Sequence, residues 1–397
     1  MKVFLMDLLP YGKHFDEFKA DRFIPYPLSG KYFDPKIAAR TYAAHFDVWA
    51  EMDALGFDGV GLNEHHTTPH GLQVSPNLMA AAACRQMKNL KFLMLGNLIP
   101  LHNPLRIAEE IAAVDCMSEG RILPGFARGV PREYRVYDVP MSESRARFDE
   151  ALEIIRMAWT QDVFSYEGKF WKYKDISIWP RPFQQPHPPI YIPFTGSKET
   201  IELAGRHNFN AVLPAGHKGV TRDIVRYFGR KLAESGHTLS SEKLVMFTDA
   251  YVAESAAAAL REYAPYYLYF VQTLWHHGSD QSNEALGKAG YVANSSFDYI
   301  SPENQPFAQM DRAKIRNTTL PDVEARIKEG QLAFGSPKEV TERLIDRAET
   351  MGANSMLLNL NLGALPPEMF MEQVRRFGKE VLPKLQAHQV RTLPLAA

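Results

Sequence analysis

The feature that most limits the fold of this chain is an eightfold alternation. Short apolar runs at 3–8, 57–62, 90–99, 122–127, 190–194, 209–213, 244–252 and 355–360 read as strands, and stretches with helical spacing or helix-start signals follow them. Parallel strands need a crossover of a dozen or more residues between them, and a helix is the usual one. Eight such units predict an α/β protein, a (β/α)8 TIM barrel with insertions; a doubly wound open sheet is the alternative. The 397 residues, 45% of them hydrophobic, then fit one domain spanning 1–397.

The helix signals are local and physical. Ala38, Tyr42, Phe46, Trp49 and Met52 recur at helical spacing within 37–55, and Gly56 follows, suited to a left-handed C-terminal residue. Pro76 and Pro104 each suit a first helical turn, where the missing N–H is not needed. Ala80, Ala81, Ala82 and Ala83 make a thin helix that another helix can approach closely, a predicted dimer contact or simply core. Further helices are predicted at 144–160, 221–233, 256–275, 338–351 and 367–385.

Two insertions break the rhythm. Within 163–189, Tyr166 to Phe170 suggests a hairpin turning at Glu167-Gly168, followed by a proline-rich crossing. After the seventh strand, 278–329 is rich in Ser, Asn, Gly and Asp with few apolar anchors. A long irregular segment at that place reads as a mobile lid or as a disordered or partner-binding insertion.

Composition excludes several classes. The net charge is −1 and no basic stripe appears, which argues against nucleic acid. No apolar run approaches the ~20 residues needed to cross a bilayer, and the N-terminus lacks a signal core. Cys84 and Cys116 lie in apolar helical surroundings and read as core thiols of a reducing compartment, so a cytoplasmic location is expected.

The chemistry-bearing residues collect where predicted strands end, the usual place in a barrel. The second run stops in Asn63-Glu64-His65-His66, with His70 nearby. This cluster reads as a metal site, as surface polarity, or as a hydrogen-bonding wall for a cofactor. Adjacent residues of an extended segment point to opposite faces, so His65 and His66 do not chelate one ion together, and no metal is expected. Leu95, Gly96 and Asn97 interrupt the third strand, and the poor strand formers suggest a close backbone approach. The fourth strand ends at Arg128, able to clamp a phosphate. Thr195, Gly196 and Ser197 open a helix after the fifth, a natural anion site. The plainer readings are a surface ion pair and a routine helix cap. The aromatics Tyr263, Tyr266, Tyr267, Tyr269, Phe270 and Trp275 read as helix packing or as a pocket wall. No dinucleotide fingerprint, Walker sequence or nucleophile elbow occurs.

Six stretches together resemble the bacterial luciferase-like flavin-dependent monooxygenases. They are Gly56-Phe57-Asp58 leading to Glu64-His65-His66, then Pro100-Leu101-His102-Asn103-Pro104, and Ser118-Glu119-Gly120-Arg121. Arg128-Gly129 with Tyr134-Arg135-Val136-Tyr137 follows, then Phe334-Gly335-Ser336-Pro337 and Val381-Leu382-Pro383. The resemblance implies a barrel that binds reduced FMN supplied by a separate flavin reductase. Dioxygen would add at the flavin C4a position to give a (hydro)peroxide that oxygenates a small, mostly apolar organic substrate. It implies that Arg128 and the start of the helix after Thr195 hold the phosphate, and that His65 lies by the flavin and is needed for turnover. Glu64 is assigned a positioning role beside it. It further implies a non-proline cis peptide at Leu95-Gly96 under the flavin ring, and a homodimer. Ala127 replaces the reactive cysteine of luciferase and Thr195 replaces an acidic residue of its phosphate site. The resemblance therefore carries flavin oxygenation rather than light emission or a long-chain aldehyde substrate. An F420-dependent oxidoreductase on the same barrel and a non-catalytic flavin-binding partner subunit are the alternatives. The Glu-His-His triplet favours FMN, and the presence of both His65 and Arg128 favours an enzyme.

Overall fold

The computed structural model describes residues 1–214, 216–277, 287–288, 290–309 and 311–393. All eight predicted runs form strands: β1 Lys2–Met6, β2 Gly59–Leu62, β3 Lys91–Met94, β4 Ile122–Leu123, β5 Tyr191–Pro193, β6 Asn210–Leu213, β7 Leu244–Val252 and β8 Ser355–Asn359. They pair in parallel in the order β4-β3-β2-β1-β8-β7-β6-β5. A bridge between Gly125 and Tyr191 joins the two ends. The sheet is thereby a (β/α)8 barrel.

Both faces of these strands are buried, which explains why the runs read as nearly continuous apolar sequence. Phe4, Met6, Leu93, Leu123, Val212, Val245 and Leu357 point inward and fill the barrel. Alternate residues such as Val3, Leu5, Val60 and Phe92 point outward and pack beneath the helices. The inward positions of β2 are Gly59 and Gly61. A Cβ there would sit 2.6 Å from the Phe4 ring or 2.8 Å from Leu357, so the neighbours' side chains fill that sector.

The helices are α1 Pro35–Leu55, α2 Pro76–Ala83, α3 Pro104–Ser118, α4 Pro131–Val136, α5 Ser144–Thr160, α6 Lys198–Arg206, α7 Lys218–Glu234 and α8 Ala256–Gln272, with Arg312–Arg316, Leu320–Lys328, Pro337–Met351, Pro367–Glu380 and Leu382–Ala387 beyond. Side chains satisfy many of their first-turn donors. Asp34 accepts the Lys36 N–H at 2.8 Å, and Ser336 and Glu339 cap each other reciprocally. Such caps are each worth about 1 kcal/mol. No helix among the described residues is long and apolar enough to cross a membrane.

Five expectations need correction. The hairpin strands are Phe164–Glu167 and Lys172–Ile176, so the turn lies at 168–171. The reason is Glu150, whose carboxylate accepts the N–H groups of Lys169, Phe170 and Trp171. The last helix is two helices that meet at Val381, because Pro383 cannot continue the ladder. Cys84 is buried but Cys116 is exposed, its thiol donating to the Arg181 carbonyl. A short strand, Ala333–Gly335, pairs with β7 where only a helix start was anticipated.

The fifth correction concerns 278–329, of which 278–286, 289 and 310 lie outside the described residues. The described remainder has apolar anchors after all: Phe297, Ile300, Ala308, Val323 and Ile327 are buried. Asp223 of α7 accepts hydrogen bonds from Ser301 N–H, Ser301 Oγ and Asn304 Nδ2 at 2.8–3.0 Å. The aromatic stretch mostly follows its core reading, with Tyr263, Tyr267 and Tyr269 buried and Tyr263 stacked on Tyr251.

Candidate functional site

A cavity of about 210 Å³ opens at the C-terminal ends of β2 to β5. Its wall includes Glu64 and His65 after β2, Leu95, Gly96 and Leu98 after β3, and Ala127 and Arg128 after β4. Ile192, Pro193 and Thr195 come from β5 and its loop, Arg145 and Phe148 from α5, Thr200 from α6, and Tyr291 from the segment beyond α8. One side is apolar and one end is cationic.

His65 stands on the wall with 23% of its side chain exposed. Its Nδ1 lies 2.9 Å from Oε1 of Glu133, which is fully buried. A carboxylate accepts, so Nδ1 carries the proton and Nε2 is the ring nitrogen available to the cavity. The other Glu133 oxygen accepts the Val130 N–H at 2.7 Å and caps α4. The His70 ring lies 4.7 Å from His65, and burial, with His65 and Arg132 nearby, pushes its pKa well down, so it is neutral.

Glu64 does not reach His65. Its Oε1 is shared by His66 Nε2 at 2.8 Å and His102 Nε2 at 2.5 Å, and its Oε2 accepts the Leu98 N–H. Burial opposes ionisation of Glu64, but the hydrogen bonds from His102 and His66 outweigh it and hold the carboxyl below its ordinary value.

At the cationic end, Arg128 Nη1 donates to the Tyr291 carbonyl at 2.8 Å, and its guanidinium lies 4.1 Å from the Tyr291 ring. Arg145 Nη2 donates to Thr200 Oγ1 at 3.0 Å. Burial, followed by the neighbouring Arg128 charge, pushes the Arg145 pKa down to about 10. Two guanidinium groups held this close, one of them desolvated, favour an anion between them.

The remaining predicted residues divide. Leu95 and Gly96 line the cavity and are joined by a cis peptide. Gly96 serves the barrel, because a Cβ there would meet the Gly125 carbonyl at 2.8 Å. Asn97 does not line the cavity; its backbone N–H donates to Gly125 and its carbonyl accepts from Ala127. Thr195 lines the cavity, whereas Ser197 stands behind it and bonds Thr200. Gly196 has φ 102° and its carbonyl accepts the Tyr299 hydroxyl.

Sequence reading missed Glu133, Arg145, Thr200 and Tyr291. Glu133 had a signal, since Pro131 and a Glu two residues later form a helix-start pattern. The others come together only through the fold.

The profile of the luciferase-like monooxygenase family matches residues 25–355. The chain belongs to that family. Among the relatives of this chain is the oxygenase component of the flavin-dependent trigonelline monooxygenase of Acinetobacter baylyi. It is 24% identical over 366 residues, 90% of this chain and 93% of the relative. Among solved structures, the oxygenating constituent of 3,6-diketocamphane monooxygenase from Pseudomonas putida, a type II Baeyer-Villiger monooxygenase in complex with FMN, superposes with a TM-score of 0.71. The identity is 19%, covering 99% of this chain and 100% of that one. An F420-dependent secondary alcohol dehydrogenase superposes at 0.63 with 15% identity, covering 97% and 98%. At such identities the two superpositions establish the shared barrel.

Proposed function

We propose that this chain is a flavin-dependent monooxygenase, the oxygenase half of a two-component system. In this reading a separate reductase supplies reduced FMN, and one atom of dioxygen goes to a mostly apolar organic substrate. Bound reduced FMN would supply the electrons that activate dioxygen. The observation that carries the reading is the polarity of the cavity: Arg128 and Arg145 at one end, an apolar slot between Leu95, Leu98, Phe148 and Ile192, and His65 on the wall. That is the donor set a phosphate on a flat apolar ring system needs.

The residues of the chain then have distinct tasks. Arg128 and Arg145, with the Thr195 and Thr200 hydroxyls, bind the phosphate. The apolar side chains exclude water, which quenches reactive oxygen chemistry. His65 offers Nε2 to the cavity and holds or moves a proton there, a role typically worth 10²–10⁴-fold. Glu133 fixes the tautomer and orientation of His65. Glu64 acts through the loop by holding His66, His102 and the Leu98 amide. A homodimer built on α2 belongs to the same reading, supported by exposed Leu78 on that helix and Val74 just before it.

The deciding experiment is anaerobic titration with reduced FMN and with reduced F420, followed by oxygen. Tight binding of reduced FMN and oxygen consumption only in its presence support the proposal. Binding of F420 alone, with no reaction with oxygen, replaces it by the deazaflavin reading, and flavin binding with no turnover on any acceptor replaces it by a binding subunit.

A further inference from the structure

The loop after β2 holds a second constellation that the proposed reaction leaves unused as chemistry. Residues two apart in an extended segment share a side. His65 therefore turns to Glu133 while Glu64 and His66 turn together to the other side, where His102 from the loop after β3 meets them. The ligand-capable atoms of the three lie within 4.8 Å of one another. Both imidazole Nε2 atoms aim at one oxygen, Glu64 Oε1, from 2.8 and 2.5 Å. Glu64 and His66 are buried, and His102 is 23% exposed and opens the cluster to solvent.

We propose that Glu64, His66 and His102 form a binding site for one divalent transition cation of the zinc class, cross-linking the loops after β2 and β3. Two imidazoles and one carboxylate are a donor set for such an ion. Calcium and magnesium prefer sites built from oxygen. Bonds of about 2.0–2.2 Å in tetrahedral geometry hold ligand atoms roughly 3.3–3.5 Å apart. The two Nε2–Oε1 distances thus need to open by less than about 1 Å, and His102, partly exposed, has room to move.

Its surroundings suit both states. The Leu98 N–H holds Glu64 Oε2 and leaves Oε1 as the single ligating oxygen. The Tyr137 hydroxyl lies 3.2 Å from His66 Nδ1 and 3.4 Å from its Nε2. Without an ion, His66 Nε2–H donates to Glu64 and Nδ1 accepts from Tyr137. With an ion on Nε2, the ring proton sits on Nδ1 and donates to the Tyr137 oxygen, so the imidazole stays neutral and satisfied. Water takes the fourth coordination position. Nothing in this inference depends on the identity of the flavin.

The test uses the full chain, stripped with chelator, dialysed against Zn²⁺ or Co²⁺ and freed of loose ions. Wild type should retain close to one equivalent per chain, and Co²⁺ should give the strong visible absorption of a tetrahedral site. His102→Ala, at a partly exposed position, should bind at least about 100-fold more weakly with its circular dichroism unchanged. His65→Ala should retain the ion. Zn²⁺ should raise the wild-type melting temperature and leave that of His102→Ala unmoved. Retention no greater in wild type than in His102→Ala, or loss on His65→Ala instead, overturns the proposal.

Discussion

His65 Nδ1 lies 2.9 Å from Glu133 Oε1, and Glu133 is itself pinned by the Val130 amide. An imidazole held on one side by a buried carboxylate has one orientation and one tautomer. Glu133→Gln keeps the shape and the helix cap but removes the charge. It should lower the coupled oxygenation rate by about 10–100-fold while flavin affinity stays within about twofold. His65→Ala should go further, consuming oxygen but releasing it as peroxide. Product yield per oxygen consumed is the measurement, and wild-type yield in both variants would remove the pair from the mechanism.

The phosphate end makes a separate prediction. Arg128→Ala removes a charged hydrogen-bond donor, worth about 1.5–3 kcal/mol. Reduced FMN should bind correspondingly more weakly, while reduced riboflavin, which lacks the phosphate, should be nearly unaffected. Equal weakening of both flavins would make Arg128 a structural residue.

Tyr291 already occupies Arg128, through its carbonyl and its ring face. The cavity of about 210 Å³ lies below the ~300 Å³ usual for ligand sites, and the Tyr291 side chain fills part of the difference. A bound flavin phosphate would therefore have to displace it. Tyr291→Ala should tighten reduced FMN binding by about 0.5–2 kcal/mol, the range of a cation–π contact, and leave riboflavin alone. Anaerobic calorimetry decides it, and weaker FMN binding in the variant would mean that Tyr291 helps hold the ligand.

The barrel was legible in the sequence because strands buried on both faces leave unbroken apolar runs, and all eight were found. His65 and Arg128 were legible because each follows such a run directly. The partners that give them chemistry were not, for a physical reason. Glu133 is 68 residues from His65 along the chain, and Arg145 nears Arg128 only because α5 folds back over the strand ends. The same limit applies to the histidine cluster. Alternation along a strand separates His65 from His66, but nothing local says that His102 completes the set. In 278–329 composition misled, because a few well-spaced apolar residues and one buried aspartate suffice to anchor a polar segment.

Burial makes stability depend on pH. It pushes the pKa of His207, His276 and His277 down to about 4, with Arg156 adding to it at His207 and Arg132 at His277. In the unfolded chain these groups titrate near 6.5. Between about pH 6.5 and 4 the unfolded state binds more protons, so stability falls as pH falls through that window. Urea midpoints should drop between pH 7.5 and 5. His207→Gln, which keeps an acceptor for Arg156 but cannot titrate, should make the dependence shallower. An unchanged slope in that variant would show that His207 takes up its proton as readily in the folded protein as in the unfolded chain.

Asp223 offers a way to loosen the segment beyond α8 without touching the cavity. Its buried carboxylate accepts three hydrogen bonds from Ser301 and Asn304, while Phe297 packs against Gly196 and the Tyr299 hydroxyl reaches the Gly196 carbonyl. The segment is thus tied to α7 by Asp223 and by the Tyr227–Tyr299 stack, to the anion loop at Gly196, and to α6 through Glu199 and Lys198. Asp223→Ala would leave Asn304 Nδ2 and the Ser301 amide unpaired, and groups so stranded cost about 1–3 kcal/mol each unless they move into water. Moving is the cheaper outcome once only the apolar anchors, the Tyr227–Tyr299 stack and the ties to α6 and the anion loop remain. Limited proteolysis should therefore cut Asp223→Ala within 290–309 at least about tenfold faster than wild type, with cut sites read by mass spectrometry. Reduced FMN should slow the cut in both proteins if the segment closes over the bound cofactor. The barrel's own melting temperature should fall by only a few degrees. Equal cleavage rates would show that the apolar anchors and the remaining ties hold the segment, and faster cleavage with no protection by reduced FMN would separate its mobility from the site.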